Sequence, residues 1–331
     1  MISGRNPIRV ASALKSVRKF SAAPAQGKKV GFVGLGNMGL SMAANLVKHG
    51  FVVKGFDVNA EPMGRLAELG VAKAASLSQA AENVDYIITC LPKTHDVRGA
   101  LESAGGIFAS AAPNTMILDT STISPVDTKE LNEAAESKGL VFLDSPMVGG
   151  TKGATNGTLT FMVGAQDGGE QFERAKTVLA GMGKNLFACG GAGSGQATKI
   201  SHNMILGINM IAASEGLALG EKLGIDPKIL SEILSASTSG SACVRMYHPR
   251  PGVNPEAPSS RDYEGGFQVG LLRKDLALAQ EAAEASNSSA DFGAKALDYY
   301  TVLENNGFSQ KDFGYAFQYV FNNLELKDSK K

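Results

Sequence analysis

Residues 29–39 read KVGFVGLGNMG, and residues 51–57 read FVVKGFD. The first stretch is a short β-branched apolar run that ends in Gly34-Leu35-Gly36-Asn37-Met38-Gly39, a G-x-G-x-x-G pattern. Apolar residues then recur at helical spacing over 38–49 and stop at Gly50. Strand, glycine turn and helix in that order are what a dinucleotide-binding βαβ unit requires. Gly34 permits the tight turn, Gly36 lets backbone approach a pyrophosphate, and Gly39 lets the helix pack closely on the strand. The helix N-terminus offers free N–H groups and a partial positive charge to phosphates, so Leu35, Asn37 and Met38 join the glycines as expected cofactor contacts. Asp57 closes the second strand, 23 residues after Gly34. A carboxylate there accepts hydrogen bonds from both ribose hydroxyls and repels a 2′-phosphate, which favours NAD over NADP.

Outward from this unit the same alternation continues. Apolar strands are expected at 86–91, 116–119 and 140–144, separated by helices at 61–69, 76–83 and 125–138. Alternating β and α with apolar strands implies a mostly parallel, doubly wound sheet of the Rossmann type, covered on both faces. Residues 158–163 and 184–189 are expected to add edge strands. After Gly190 the pattern becomes helical, with helices expected at 194–223, 227–236, 271–285, 290–304 and 311–324. The Pro-, Gly- and Ser-rich stretch 249–266 reads as an ordered loop. The expected organisation is a leader at 1–26, an α/β domain at 27–190 and an all-α substrate and dimerisation domain at 191–326.

Composition narrows the function. The chain has 331 residues, 44% of them hydrophobic, with 32 basic and 32 acidic side chains. A net charge of zero argues against nucleic acid as the main partner. No run of about 20 apolar residues suggests a membrane span. Cys90, Cys189 and Cys243 are few and far apart, which suits a reducing compartment, and no His/Asp/Glu spacing points to a metal. The balance hides an asymmetry, because no Asp or Glu precedes Asp57. Residues 1–26 carry Arg5, Arg9, Lys15, Arg18 and Lys19 among Ser and Ala, the pattern of a mitochondrial transit peptide, which implies the matrix.

Two further clusters carry chemistry. Asp144-Ser-Pro-Met-Val-Gly149-Gly150-Thr151 lies past the C-terminal end of a strand, where open α/β sheets place ligands. Its paired glycines can present N–H groups to a small anion such as a carboxylate. In Gly193-Ser-Gly195-Gln-Ala-Thr-Lys199-Ile-Ser-His202-Asn203, Lys199 and Asn203 are four apart and share one helix face. An ammonium and an amide converging on one point suit a hydroxyl that becomes a carbonyl. Lys199 would exchange the hydroxyl proton and Asn203 would hold the oxygen, with His202 a rival acid–base group.

The ordered set GLGNMG, DVN, LP, STISP, DSPMVGGTKGATNGTLTFMVG, GSGQATKISHN and GGFQVGLLRKDLALA resembles the β-hydroxyacid dehydrogenase family over about residues 28–324. Residues 246–267 resemble a loop of its 3-hydroxyisobutyrate dehydrogenase branch. The resemblance implies NAD-dependent oxidation of (S)-3-hydroxyisobutyrate to methylmalonate semialdehyde, a step of valine breakdown. It also implies that Lys199 is the acid–base residue and that Asn203 orients the substrate oxygen. By the same resemblance Leu91 and Pro92 lie along the cofactor, Thr122 lies near nicotinamide and substrate, Lys274 reaches nicotinamide or substrate, and Gly149 and Gly150 take the substrate carboxylate. Family members pair through the helical domain, which implies a homodimer or homotetramer. Three positions depart from the family pattern. Val148 replaces a Ser before the double glycine, His202 stands where Asn is frequent, and Ala242-Cys243-Val244 replaces Arg-Cys-Trp. Alternative activities are a sibling dehydrogenase, a reductase of glyoxylate, succinic or tartronate semialdehyde, or a non-catalytic NAD-binding module.

Overall fold

A computed structural model describes residues 27–322 of the chain. The expected transit peptide at 1–26 lies outside the described residues, as do residues 323–331.

Six parallel strands form the main sheet: β1 (Lys29–Val33), β2 (Val52–Phe56), β3 (Ala72–Lys73), β4 (Tyr86–Thr89), β5 (Met116–Asp119) and β6 (Val141–Asp144). Their spatial order is β3-β2-β1-β4-β5-β6, so the chain reverses direction across the sheet between β1 and β4. Such a switch point opens a crevice at the carboxyl ends of the strands. The strands are apolar on both faces because both faces are covered. Val30, Phe32, Tyr86 and Ile88 point into one core, while Val33, Ile87, Ile117 and Phe142 point into the other. The covering helices are α1 (Gly39–Lys48), α2 (Ala60–Gly64), α3 (Leu77–Ala81), α4 (Thr94–Glu102), α5 (Ile107–Ser110), α6 (Pro125–Glu136), α7 (Gly150–Asn156) and α8 (Glu170–Leu179).

Residues 158–163 and 184–189 do not extend this sheet as edge strands. Instead, β7 (Met147–Val148), β8 (Leu159–Val163) and β9 (Gly183–Ala188) form a separate three-stranded sheet. The main ladder ends at Asp144, and Pro146 lacks the N–H needed to carry it further. Backbone bonds from Gly164 N to Asp144 O (2.8 Å) and from Met162 N to Pro146 O (2.9 Å) tie β8 to the end of β6. The helix expected at 61–69 is broken into α2 and a 3₁₀ turn, Ala67–Leu69.

The remainder is helical: α9 (Ser194–Lys222), α10 (Pro227–Ala236), α11 (Ala242–Arg245), α12 (Val269–Ala285), α13 (Asp291–Leu303) and α14 (Ala316–Asn322). Helix α9 has 29 residues, about 44 Å at 1.5 Å per residue. It is long and apolar enough by composition to cross a membrane. Here it is the central helix of the domain, packed against α12, α13 and α14. The helix expected at 311–324 is shorter. Asp312 is extended, its carboxylate accepts from Gly314 N and Phe267 N (both 2.9 Å), and helical backbone begins only at Phe313. Stretch 249–266 is pinned by its own side chains, with Tyr263 Oη donating to Pro249 O at 2.7 Å and Arg250 gripping both Glu221 carboxylate oxygens. His248, just before this stretch, is buried against Ser231 Oγ at 2.7 Å.

Candidate active site

The glycine turn forms as its spacing requires. Gly34 has φ +93°, and a Cβ there would lie 2.3 Å from the Cys90 carbonyl oxygen. At Gly39 a Cβ would lie 2.0 Å from Gly34 O, so the helix sits hard against the turn. Gly36 differs, since a Cβ there would meet no atom within 4 Å. The N–H groups of Gly36, Asn37 and Met38 take no partner among the described residues. This open, donor-lined cradle at the head of α1 fits a dinucleotide pyrophosphate. Asp57 lies beside it with an additional role. Its Oδ2 accepts from Leu35 N at 2.7 Å, and its Oδ1 accepts from Asn59 N at 2.8 Å. The carboxylate therefore anchors the turn whose ligand it was expected to select.

Leu91 and Pro92 follow β4, and a Cβ on Gly34 would lie 2.9 Å from a Leu91 methyl. Leu91 N donates to Ser121 Oγ at 2.9 Å, which joins this loop to the one after β5. Thr122 sits in that second loop and is half-buried. Gly149 and Gly150 are exposed at the head of α7, with φ +133° and +60°. Helix α7 is held to α1 by Asn45 Nδ2 donating to Ala154 O at 2.6 Å. No hydrogen bond joins Gly149 or Gly150 to Lys199 or Asn203 among the described residues.

Lys199 and Asn203 lie one turn apart on α9, at 8% and 1% exposure. The Lys199 ammonium has no hydrogen bond within the described residues. Burial pushes its pKa down to about 8; Asp275 opposes that shift and Lys274 adds to it. Asn203 Nδ2 donates to Asp275 Oδ2 at 2.5 Å, and Asn203 Oδ1 lies 2.8 Å from His202 Nδ1. Lys274 Nζ donates to Thr122 O at 2.6 Å and lies 3.0 Å from Asp275 Oδ1. That second approach lacks hydrogen-bond geometry, which leaves Asp275 Oδ1 buried without a hydrogen bond. Asp275, a residue that the motif reading did not single out, thus meets Asn203 and Lys274 directly, Lys274 carries the chain of contacts on to Thr122, and Lys199 lies within electrostatic reach of both charges. An open cleft of about 440 Å³ runs beside Lys274, with Lys93, Thr94, Arg98, Asp127 and Leu278 in its walls.

Two other residues assemble the site. Asp144 ends β6 and caps α9, accepting from Gly193 N at 3.0 Å and Gln196 N at 2.8 Å. Gln196 is fully buried; its Nε2 donates to Ser121 O at 2.8 Å and its Oε1 accepts from Ile123 N at 3.2 Å. Both lie inside quoted motifs, yet only docking of α9 on the sheet reveals their partners. Burial raises the Cys90 thiol to about 11 and the Cys243 thiol to about 12, so neither is a thiolate near neutrality. Among the described residues no group of three His, Cys, Asp or Glu is placed to hold a metal.

Comparison with known proteins agrees with this geometry. Residues 29–191 match the family described as the NAD binding domain of 6-phosphogluconate dehydrogenase. Residues 193–320 match the family described as NAD-binding of NADP-dependent 3-hydroxyisobutyrate dehydrogenase. The chain is 42% identical to the NAD-dependent L-serine dehydrogenase of Pseudomonas aeruginosa, over 86% of this chain and 95% of that one. It is 41% identical to mitochondrial 3-hydroxyisobutyrate dehydrogenase of Rattus norvegicus, over 88% and 86% respectively. Among solved structures, 3-hydroxyisobutyrate dehydrogenase of Mycobacterium tuberculosis with L-serine superposes with a TM-score of 0.83 at 38% identity, over 88% of this chain and 99% of that one. Fold and site define an NAD-dependent hydroxyacid dehydrogenase, and the chain belongs to the 3-hydroxyisobutyrate dehydrogenase family.

Proposed function

We propose that this enzyme oxidises (S)-3-hydroxyisobutyrate to methylmalonate semialdehyde, with Lys199 as the base. The observation that carries the reading is the Lys199 amine, buried, without a hydrogen bond and brought down to about 8. An ordinary lysine titrates near 10.4 and is a poor base at neutrality. A group near 8 is neutral often enough to accept a proton and acidic enough to return it.

The residues act as follows. Lys199 takes the proton of the substrate hydroxyl. Asn203 donates its second amide hydrogen to the same oxygen as it becomes a carbonyl. Gly149 and Gly150 receive the carboxylate through backbone N–H groups. Lys274, tethered to Thr122 O, closes the site from α12, and its positive charge adds to the burial that lowers Lys199. Residues Gly34 to Gly39, Leu91, Pro92 and Asp57 hold NAD, which when bound accepts the hydride from the carbinol carbon.

L-Serine is the second candidate substrate. Its support is the likeness to an enzyme named for it and to a solved relative that holds it. Steady-state kinetics with NAD on 3-hydroxyisobutyrate and L-serine, and with NADH on short semialdehydes, separates the readings. A higher kcat/KM on 3-hydroxyisobutyrate supports the proposal, and a higher value on L-serine replaces it.

The basic leader, together with the rat relative named as mitochondrial, supports import into the matrix. Leu219, Leu223, Ile229 and Ile233 leave an apolar ridge more than half exposed along α9 and α10. A ridge of this kind is what pairing of helical domains into a homodimer or homotetramer would cover.

A further inference from the structure

We infer that His202 is a positioning residue whose Nδ1–H holds the Asn203 amide so that Asn203 can only donate to the substrate oxygen. This rests on the reading of Asn203 as the group that meets that oxygen. The argument is a count of donors and acceptors along one chain of contacts. A carboxylate such as that of Asp275 offers acceptors only. Its 2.5 Å partner must therefore be the amide nitrogen of Asn203, which fixes which way the amide faces. The amide oxygen then lies 2.8 Å from His202 Nδ1. That oxygen can only accept, so the proton of the ring sits on Nδ1. Nothing else in the contact tolerates the other tautomer, in which two lone pairs would face each other.

A functional constraint follows. The Asn203 oxygen is taken by His202 and one amide hydrogen by Asp275. The hydrogen that remains is a donor. A donor-only group binds an alcohol oxygen and a carbonyl oxygen, and it binds more strongly as negative charge builds on the oxygen during loss of the proton to Lys199. An amide free to flip would offer its oxygen to the alcohol O–H, competing with Lys199 for that proton. Burial holds the His202 ring below its usual value, so the neutral ring makes this contact near pH 7.

Two variants and one spectrum test the inference. His202→Phe removes the donor and is expected to lower kcat about tenfold, the worth of one hydrogen bond to a polar group, with KM for NAD within about twofold of the parent. His202→Gln restores an N–H of similar reach and is expected to recover kcat to within about threefold. In long-range proton–nitrogen spectra of the full chain labelled at histidine nitrogen, the resonances missing from His202→Gln belong to His202. They should report the Nδ1–H tautomer. A parental kcat in the Phe variant, failure of Gln to rescue, or an Nε2–H tautomer overturns the inference. The tautomer is read without turnover, so a wrong assignment of Lys199 would not disguise the result.

Discussion

Gln196 and Ser121 are joined across the junction of sheet and helical domain by a 2.8 Å hydrogen bond from the glutamine Nε2 to the serine carbonyl. The other end of the same amide accepts from Ile123 N at 3.2 Å. The two bonds bracket Thr122, whose own carbonyl receives Lys274. Three residues further along α9 stands Lys199. One buried side chain thus ties the loop after β5 to helix α9.

Gln196→Met keeps the shape of the side chain and removes both bonds. It leaves a buried N–H and a buried carbonyl unpaired, at a cost of roughly 1–3 kcal/mol each. Expected are a melting temperature lower by several degrees and a KM for NAD raised at least about fivefold. Parental melting and parental KM in this variant would show that the loop holds its position without the glutamine.

Lys199 makes activity and stability pull apart. Its pKa falls from 10.5 unfolded to about 8 folded, so below pH 8 the fold carries a buried charge at a cost on the order of 3 kcal/mol. The sign follows from proton counts. Between pH 8 and 10.5 the unfolded chain binds more protons at this site than the folded one, so stability rises with pH across that window. Lys199→Met should lose at least about a hundredfold in kcat and yet melt higher than the parent at pH 7. That gain should shrink as pH climbs from 8 to 10.5. A Met variant that melts lower at pH 7 would mean that the ammonium is compensated in a way the contacts do not show.

Asp57 carries two duties, since it anchors Leu35 N and is expected to select the ribose. Asp57→Asn keeps an acceptor oxygen and removes the charge. The ratio of kcat/KM for NAD over NADP should drop roughly tenfold or more, as one repulsive charge is lost from the 2′-phosphate position. An unchanged ratio would assign Asp57 to the turn alone.

What could be read from the sequence was local. Gly34 is demanded by the positive φ of the turn and Gly39 by the close approach of Gly34 O within it, both local, although Gly34 also faces the distant Cys90 carbonyl, and Lys199 with Asn203 follows from helix geometry alone. The Asp275 contact to Asn203 spans 72 residues and the Lys274 contact to Thr122 spans 152. Neither is encoded by periodicity, because both depend on how α12 docks against α9 and the sheet. Lys274 and Thr122 entered through family resemblance and not through pattern. The pattern predicts no helix over 150–156, because Gly-Thr-Lys-Gly-Ala-Thr-Asn has poor helix propensity. Helix α7 forms there while anchored to Asn45 of α1. The separate sheet of β7, β8 and β9 is not legible in the sequence, because only the end of the β6 ladder at Asp144 and Pro146 distinguishes it from an edge.

The most direct check of Lys199 as the base is the pH dependence of kcat/KM for alcohol oxidation, which reports groups of the free enzyme. It should rise through an inflection near 8, where Lys199 loses its proton. That inflection should vanish from the residual activity of Lys199→Met. A profile flat between pH 7 and 9, or an inflection that persists in the Met variant, would place the base elsewhere.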